Sequence, residues 1–229
     1  MTKEALSIYF ERLADYGPSL AESLVETAIM LGFASLAAIL IGLPLGTLLY
    51  LTAKGRILEN KWIYQTANII VNIIRSFPFL LLVIAMQPLI RAVYGRATGD
   101  PVAASFPMMV IAIALYARFV EQSLSDVPKG VVETGRAMGA SIPQLVTKFL
   151  YVEARSSLIV GFTSAFVSFI SYSTIMGVVG GGGIGQFAIR YGYQRFEDDI
   201  MYTAIVVIII LVQIIQWLGL NLANRLDKR

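Results

Sequence analysis

The run IMYTAIVVIIILVQIIQWLGLNL, from Ile200 to Leu222, holds no Asp, Glu, Lys or Arg. Crossing about 30 Å of hydrocarbon takes roughly 20 apolar residues in a helix, and this run has that length. In lipid the backbone has no water to bond to, so its polar groups must be satisfied within a helix or a closed barrel. A barrel strand needs only about 9–11 residues, so the run reads as a helix. The rest of the chain agrees. Of its 229 residues, 57% are hydrophobic and 14% charged, against about 25% charged in soluble domains.

Five such segments are expected, with spans at about 25–52, 68–90, 106–124, 157–179 and 200–222 of a single transmembrane domain, 1–229. The fold class is all-α, polytopic in the membrane. The first twenty residues, MTKEALSIYFERLADYGPSL, read as a short amphipathic segment outside the bilayer. An odd number of spans puts the termini on opposite sides. Cytoplasmic loops carry the excess of Lys and Arg. With the C-terminus inside, ten of these residues fall inside and six outside, leaving out Arg75 and Arg118 within spans. The expected orientation is N-terminus outside and C-terminus cytoplasmic, which makes residues 125–155 a cytoplasmic loop. The net charge of +3 then belongs to topology and implies no nucleic-acid partner.

Chemistry is constrained by what is missing. The chain has no Cys and no His, so thiol nucleophiles and the commonest zinc and haem ligands are excluded. No G-x-x-x-x-G-K-[ST] occurs, so the chain has no P-loop for ATP. GGGGIG, from Gly180 to Gly185, formally fits G-x-G-x-x-G. It follows a membrane span instead of a strand, so a flexible outer loop is expected there in place of a dinucleotide site. No catalytic residue, cofactor or metal is expected.

The cytoplasmic loop carries the most information. Val131 to Met138 reads as a short helix that stops at Gly139. Ser141 and Gln144 have capping-box spacing, with Pro143 in the first turn. Ile142, Leu145, Val146, Phe149 and Leu150 then form one apolar stripe. Two short helices should meet at a Gly-Ala-Ser corner. Spacing alone serves a helix lying on lipid headgroups as well as one docked on a protein.

Glu133-Thr134-Gly135, three residues, then Gly139, resembles the EAA loop of ABC importer permeases. The family pattern ends in Ile-any-Leu-Pro, where this chain has Phe149-Leu150-Tyr151-Val152, and Thr134 and Gly135 stand in place of two alanines. LIGLPLGTLLY, NIIRSFPFLLL, DVPKGVVETGRAMGAS and VVGGGGIGQFAIRYGYQRF are similar to the methionine-importer branch. The resemblance implies a type I ABC importer permease fold in a bacterial inner or plasma membrane. It implies a homodimer, two ATPase subunits and an external methionine-binding protein. It also implies that the loop is a coupling helix, with Glu133 and Arg136 in polar contact and Ala137, Met138 and Gly139 packed against the ATPase.

Ser168, Ser171, Ser173 and Thr174 lie in the fourth span beside Tyr172, Ile175 and Met176. Small hydroxyl residues let helices approach. In the family this span lines the pathway, which makes Ser171 to Met176 the expected constriction. Asn68, Asn72 and Arg75 read as anchoring at the inner interface, and Arg118 with Glu121 as an interfacial pair. Tyr191 and Tyr193 serve either an aromatic belt or the binding protein. An importer of another small solute and an ion-coupled secondary transporter are the alternatives. The latter would favour inverted repeats and mid-membrane acids, and neither is visible.

Overall fold

The computed structural model describes residues 3–227, with side chains from Glu11 onward. Every regular element among them is helical, as lipid-exposed backbone requires. Helix α1 is Lys3–Ala37, and a π turn at Ala38–Gly42 joins it without a gap to α2, Leu43–Thr52. Pro44 explains the π turn. It offers no N–H to the carbonyl four residues back, and its ring crowds that carbonyl, so the widened turn absorbs the mismatch. The expected separate segment over residues 1–20 is, as far as it is described, the first part of α1. Pro18 lies inside that helix, its fixed φ being compatible with helical backbone. Met1 and Thr2 lie outside the described residues.

Helices α3, Lys61–Ser76, and α4, Phe79–Tyr94, replace the expected continuous second span. They are bent by 105° to one another. Pro78 is the reason, since it drives Phe77 away from the α region and is itself extended at φ −57°, ψ 124°. Its carbonyl then accepts from the N–H groups of Leu81 and Leu82 and starts α4. Helix α5 is Pro101–Ser125, α6 is Lys129–Ala137 and α7 is Ile142–Gln144. A π turn at Leu145–Leu150 leads into α8, Tyr151–Val178, and a short α9, Gly183–Phe187, runs into a third π turn at Ala188–Tyr193. Helix α10 is Asp198–Leu226.

Four helical stretches among the described residues are long and apolar enough to cross a membrane, or five if the bent α3–α4 pair is one span. All four begin earlier than expected: Glu11–Thr52, Pro101–Ser125, Ile142–Val178 and Asp198–Leu226. In α5, 56% of the most apolar window is buried, against 6% in α10. Helix α10 therefore keeps its Ile and Val side chains on the surface, where lipid is their natural solvent.

The chain has two compact units. One comprises Met1–Ser35, Phe77–Met109 and Ser168–Gln213, the other Leu36–Ser76, Val110–Val167 and Ile214–Arg229. In the second unit, Leu49, Val71 and Ala114 form a buried cluster flanked by Leu45, Tyr64, Ala67 and Ile74. Gly42 and Gly46, a G-x-x-x-G pair, let this chain segment press on α5. A Cβ at Gly46 would lie 2.3 Å from the carbonyl oxygen of Ala117, and one at Gly42 would lie 2.9 Å from that of Ile113. Removing side chains is how membrane helices gain close backbone contact. In the first unit, Ile184, Phe187, Ile200 and Ala204 are buried beneath Tyr16, Leu20 and Tyr191.

Candidate functional site

The loop between α5 and α8 folds as a corner. Helix α6 ends at Met138, and Gly139 sits at φ +73°. The N–H of Gly139 donates to Arg136 O at 3.0 Å and that of Ala140 to Gly135 O at 3.1 Å. Together these bonds make a Schellman closure, which wants a left-handed residue after the cap and so favours glycine. The next helix opens on the expected capping box: the Ser141 N–H donates to Gln144 Oε1 at 2.9 Å, and the Gln144 N–H donates to the Ser141 side chain.

The inside of the corner is apolar. Leu145 and Leu150 are buried, and the facing position on α6 is Gly135. A Cβ there would come within 2.5 Å of Leu145 Cδ1, so the absence of a side chain lets α6 lie against the following turn. The outside is open. Glu133, Arg136, Ala137 and Gly139 are exposed, Met138 is 72% exposed, and nothing lies within 4 Å of a Cβ placed on Gly139. All five expected coupling residues therefore share one exposed ridge.

The second expected helix of the loop is not short. Ile142–Val178 is one helical stretch, because Val152, unlike a proline, donates its N–H and lets the ladder run on.

The six expected pathway residues separate. Ser173 is fully buried, and its hydroxyl donates to Ile170 O at 2.7 Å. Met176 is 1% exposed. Both face the packed interior of the chain. Tyr172 is half-buried, its ring 4.6 Å from that of Phe79 between centroids. Ser171 is exposed, while Thr174 and Ile175 are half-buried.

GGGGIG is not a loose loop. Gly180, Gly182 and Gly183 have positive φ, and Gly181 to Gly185 are all buried. The N–H of Gly183 donates to Glu26 Oε2 at 2.6 Å and that of Ile184 to Thr27 Oγ1 at 2.9 Å. The turn folds back so tightly that a Cβ at Gly185 would meet Thr174 O at 2.3 Å, and one at Gly177 would meet the Gln186 nitrogen at 2.2 Å. These glycines are required by close backbone approach.

Two charged clusters were only partly legible. Arg118 pairs with Glu121 at 2.5 Å, as their spacing suggests, and its guanidinium also donates to the side-chain oxygens of Asn68 and Asn72 of α3. The asparagines therefore serve Arg118, and Arg75 is exposed. Arg12 bridges Glu197 at 2.7 Å and Asp199 at 3.0 Å, and the Tyr16 hydroxyl donates to Glu197 at 3.0 Å. Burial pushes the Glu197 carboxyl up, but the bonds from Tyr16 and Arg12 outweigh it and hold the group below its ordinary value. No local pattern announces this cluster, since Arg12 and Glu197 are 185 residues apart. Tyr191 is packed against Tyr16 and Phe187, whereas Tyr193 is 71% exposed.

Known proteins are similar to this chain in sequence and fold. The family model described as binding-protein-dependent transport system inner membrane component matches residues 38–229. The probable D-methionine transport system permease protein MetI of Pasteurella multocida is 43% identical over 90% of this chain and 95% of its own. The methionine import system permease protein MetP of Bacillus subtilis is 39% identical over 80% and 82%. Among solved structures, a chain of the inward-facing MetNI methionine ABC transporter superposes with a TM-score of 0.88 at 37% identity, covering 91% of this chain and 96% of that one. An amino acid ABC transporter crystallised with histidines superposes with a TM-score of 0.76 at 17% identity, a likeness of fold.

Proposed function

This chain belongs to the family of binding-protein-dependent transport system inner membrane components, and on that premise we propose that it forms the transmembrane pathway of an ATP-driven methionine importer. The observation that carries the reading is likeness to methionine permeases over nearly the full length of both chains. The chain is a multi-pass inner-membrane permease and transports without catalysing. Without a P-loop of its own it draws energy from a separate ATPase subunit. Two copies of the permease, two ATPases and an external methionine-binding protein make up the importer. The methionine-transporter likeness supports that assembly.

The exposed ridge of Glu133, Arg136, Ala137, Met138 and Gly139 is the handle. Met138 supplies an apolar knob, Glu133 and Arg136 supply polar contacts, and the bare Gly139 lets a partner surface approach closely. The Schellman closure and the Gly135–Leu145 contact hold the ridge rigid, so motion of the ATPase is passed to α8. The passage itself is lined by the accessible part of the Ser171 to Met176 segment, namely Ser171, Tyr172, Thr174 and Ile175, with no carboxylate or Lys among them. Such a lining suits a zwitterion with a flexible apolar side chain. The N-terminus lies outside and the ridge in the cytoplasm, as the Lys and Arg bias favours.

The test is uptake by the permease reconstituted with its ATPase and binding protein. Labelled methionine should accumulate only with ATP on the ridge side. Unlabelled methionine should compete, and histidine and glutamate should compete poorly. Uptake without ATP, or preference for either competitor, sinks the reading. Orientation is checked separately by Ser125→Cys, since no native Cys interferes. An impermeant thiol reagent should label it only after the membrane is opened.

A further inference from the structure

Within the first compact unit a cleft of about 120 Å³ opens between α1 and the α9 segment, where a single water needs about 10–15 Å³. Its lining is asymmetric in charge. Glu22 and Glu26, one helical turn apart on α1, stand on one side, and Gln186 and Arg190, also one turn apart, stand on the other. Phe187 and Tyr191 add an aromatic wall.

The polar groups are only partly used by the protein. Glu22 has no ion pair or hydrogen-bond partner among the described residues, and neither does the Arg190 guanidinium, which rests 5.6 Å from the Tyr191 ring. Glu26 spends Oε2 on the Gly183 N–H at 2.6 Å, leaving Oε1 unpaired. Gln186 accepts from the Gly182 N–H at 2.8 Å through Oε1, leaving both amide protons to donate. Two carboxylates thus face a guanidinium and an amide without closing on one another. A gap of that kind is filled by a ligand that carries both charges.

We propose that this cleft is a binding site for the head group of a zwitterionic amino acid. The ammonium group lies between Glu22 and Glu26, and the carboxylate takes the Arg190 guanidinium and the Gln186 amide. Charge-assisted bonds at both ends would fix the head group, while Phe187 and Tyr191 offer an apolar or thioether side chain an aromatic contact. Identifying methionine as the ligand rests on the proposed function; recognition of a zwitterion rests on the cleft alone. The site reads charge more than side chain, so it serves as a broad receiving point and leaves selection to other parts of the machinery.

The probe is methionine itself, added to the permease–ATPase complex in nanodiscs without binding protein and followed by saturation-transfer NMR. Saturation should reach the methionine α-proton. Methionine methyl ester, which lacks the carboxylate, and N-acetylmethionine, which lacks the ammonium, should each bind about tenfold more weakly or worse. Glu22→Gln and Arg190→Gln should each weaken methionine by about tenfold, and Arg91→Gln, outside the cleft, should leave it unchanged. Both cleft residues have exposed side chains, and a matched size-exclusion profile confirms that the variants fold. No transfer to methionine, equal transfer to the two blocked analogues, or indifference to both substitutions overturns the site. ATP-driven uptake is run in parallel on the same preparations. Normal wild-type uptake without saturation transfer removes the cleft and leaves the importer reading standing. Transfer that meets every expectation, without uptake, does the reverse.

Discussion

Two glycine-bearing turns in this chain, Met138 to Ser141 and Gly180 to Gly185, put their glycines to different uses in the folded protein. The corner at Met138 to Ser141 uses one left-handed glycine and presents its neighbours outward, with Met138 72% exposed and open space around Gly139. The turn at Gly180 to Gly185 uses three, of which Gly182 and Gly183 are buried against Glu26 and Thr27, and the following Gly185 is pressed on the end of α8. Both turns have backbone bonds of their own, but the second is also held by side chains from a helix 157 positions earlier. A glycine that only shapes a surface leaves that surface available to a partner. A glycine that admits another backbone is part of the core.

The largest effect that would test this contrast lies in the buried turn. Gly185→Leu or Gly177→Val puts side-chain atoms where backbone already sits, and overpacking of this kind costs about 1–3 kcal/mol and sometimes more. Either variant should lose most of the monodisperse permease recovered in detergent, read by size-exclusion chromatography. Recovery at wild-type levels would mean the turn is as loose as its sequence suggests.

Next come the ridge variants, where stability and function should part. Gly139→Trp and Glu133→Lys should be recovered like the parent protein, because neither site has a packed neighbour. Gly139→Trp adds only the left-handed backbone cost of about 1–2 kcal/mol. ATP-driven uptake should nevertheless fall by about tenfold or more, equivalent to about 1.4 kcal/mol of coupling. Normal uptake in both would separate the exposed ridge from coupling.

A smaller loss is expected where a side chain closes the buried turn. Glu26→Ala leaves the Gly183 N–H without its acceptor, at a cost of about 1–3 kcal/mol. The melting temperature in detergent should drop, while Gln144→Ala, at the self-closed corner, should move it by less. Equal shifts would erase the distinction between the two turns.

The smallest effect concerns pH. The native Glu197 carboxyl is held below its ordinary value, so its contribution is complete above the unfolded pKa of about 4.3 and disappears as pH falls through the native value. Arg12→Ala should remove part of that acid sensitivity, seen as a flatter dependence of melting temperature on pH below about 5. An unchanged slope would place acid sensitivity elsewhere.

Much of the fold was readable because the bilayer leaves few options. Charge-poor stretches fix the helices, and the Ser141–Gln144 spacing and Gly139 mark the corner correctly, since caps and Schellman closures depend on residues within one or two turns. Gly42 and Gly46 are different, since the structure alone shows that they press on α5. The bend at Pro78 was written in a single residue whose consequence depends on what lies beyond it. A proline inside α1 leaves the helix whole, while Pro78 ends one helix and starts another.

The orientation of the Ser171 to Met176 segment was not legible. Hydroxyl side chains can bond their own helix backbone, as Ser173 does, or face outward, and composition is the same in both cases. The closing of the Gly180 to Gly185 turn by Glu26 and Thr27 was equally hidden, because it joins residues far apart in the chain. By itself the sequence determined an all-helical membrane chain with a folded corner between two of its helices, since lipid and local capping act over a few residues. Tertiary structure decided which glycines are core, which serines are buried and where Arg12 finds its acids, since those outcomes depend on long-range neighbours that no local spacing encodes.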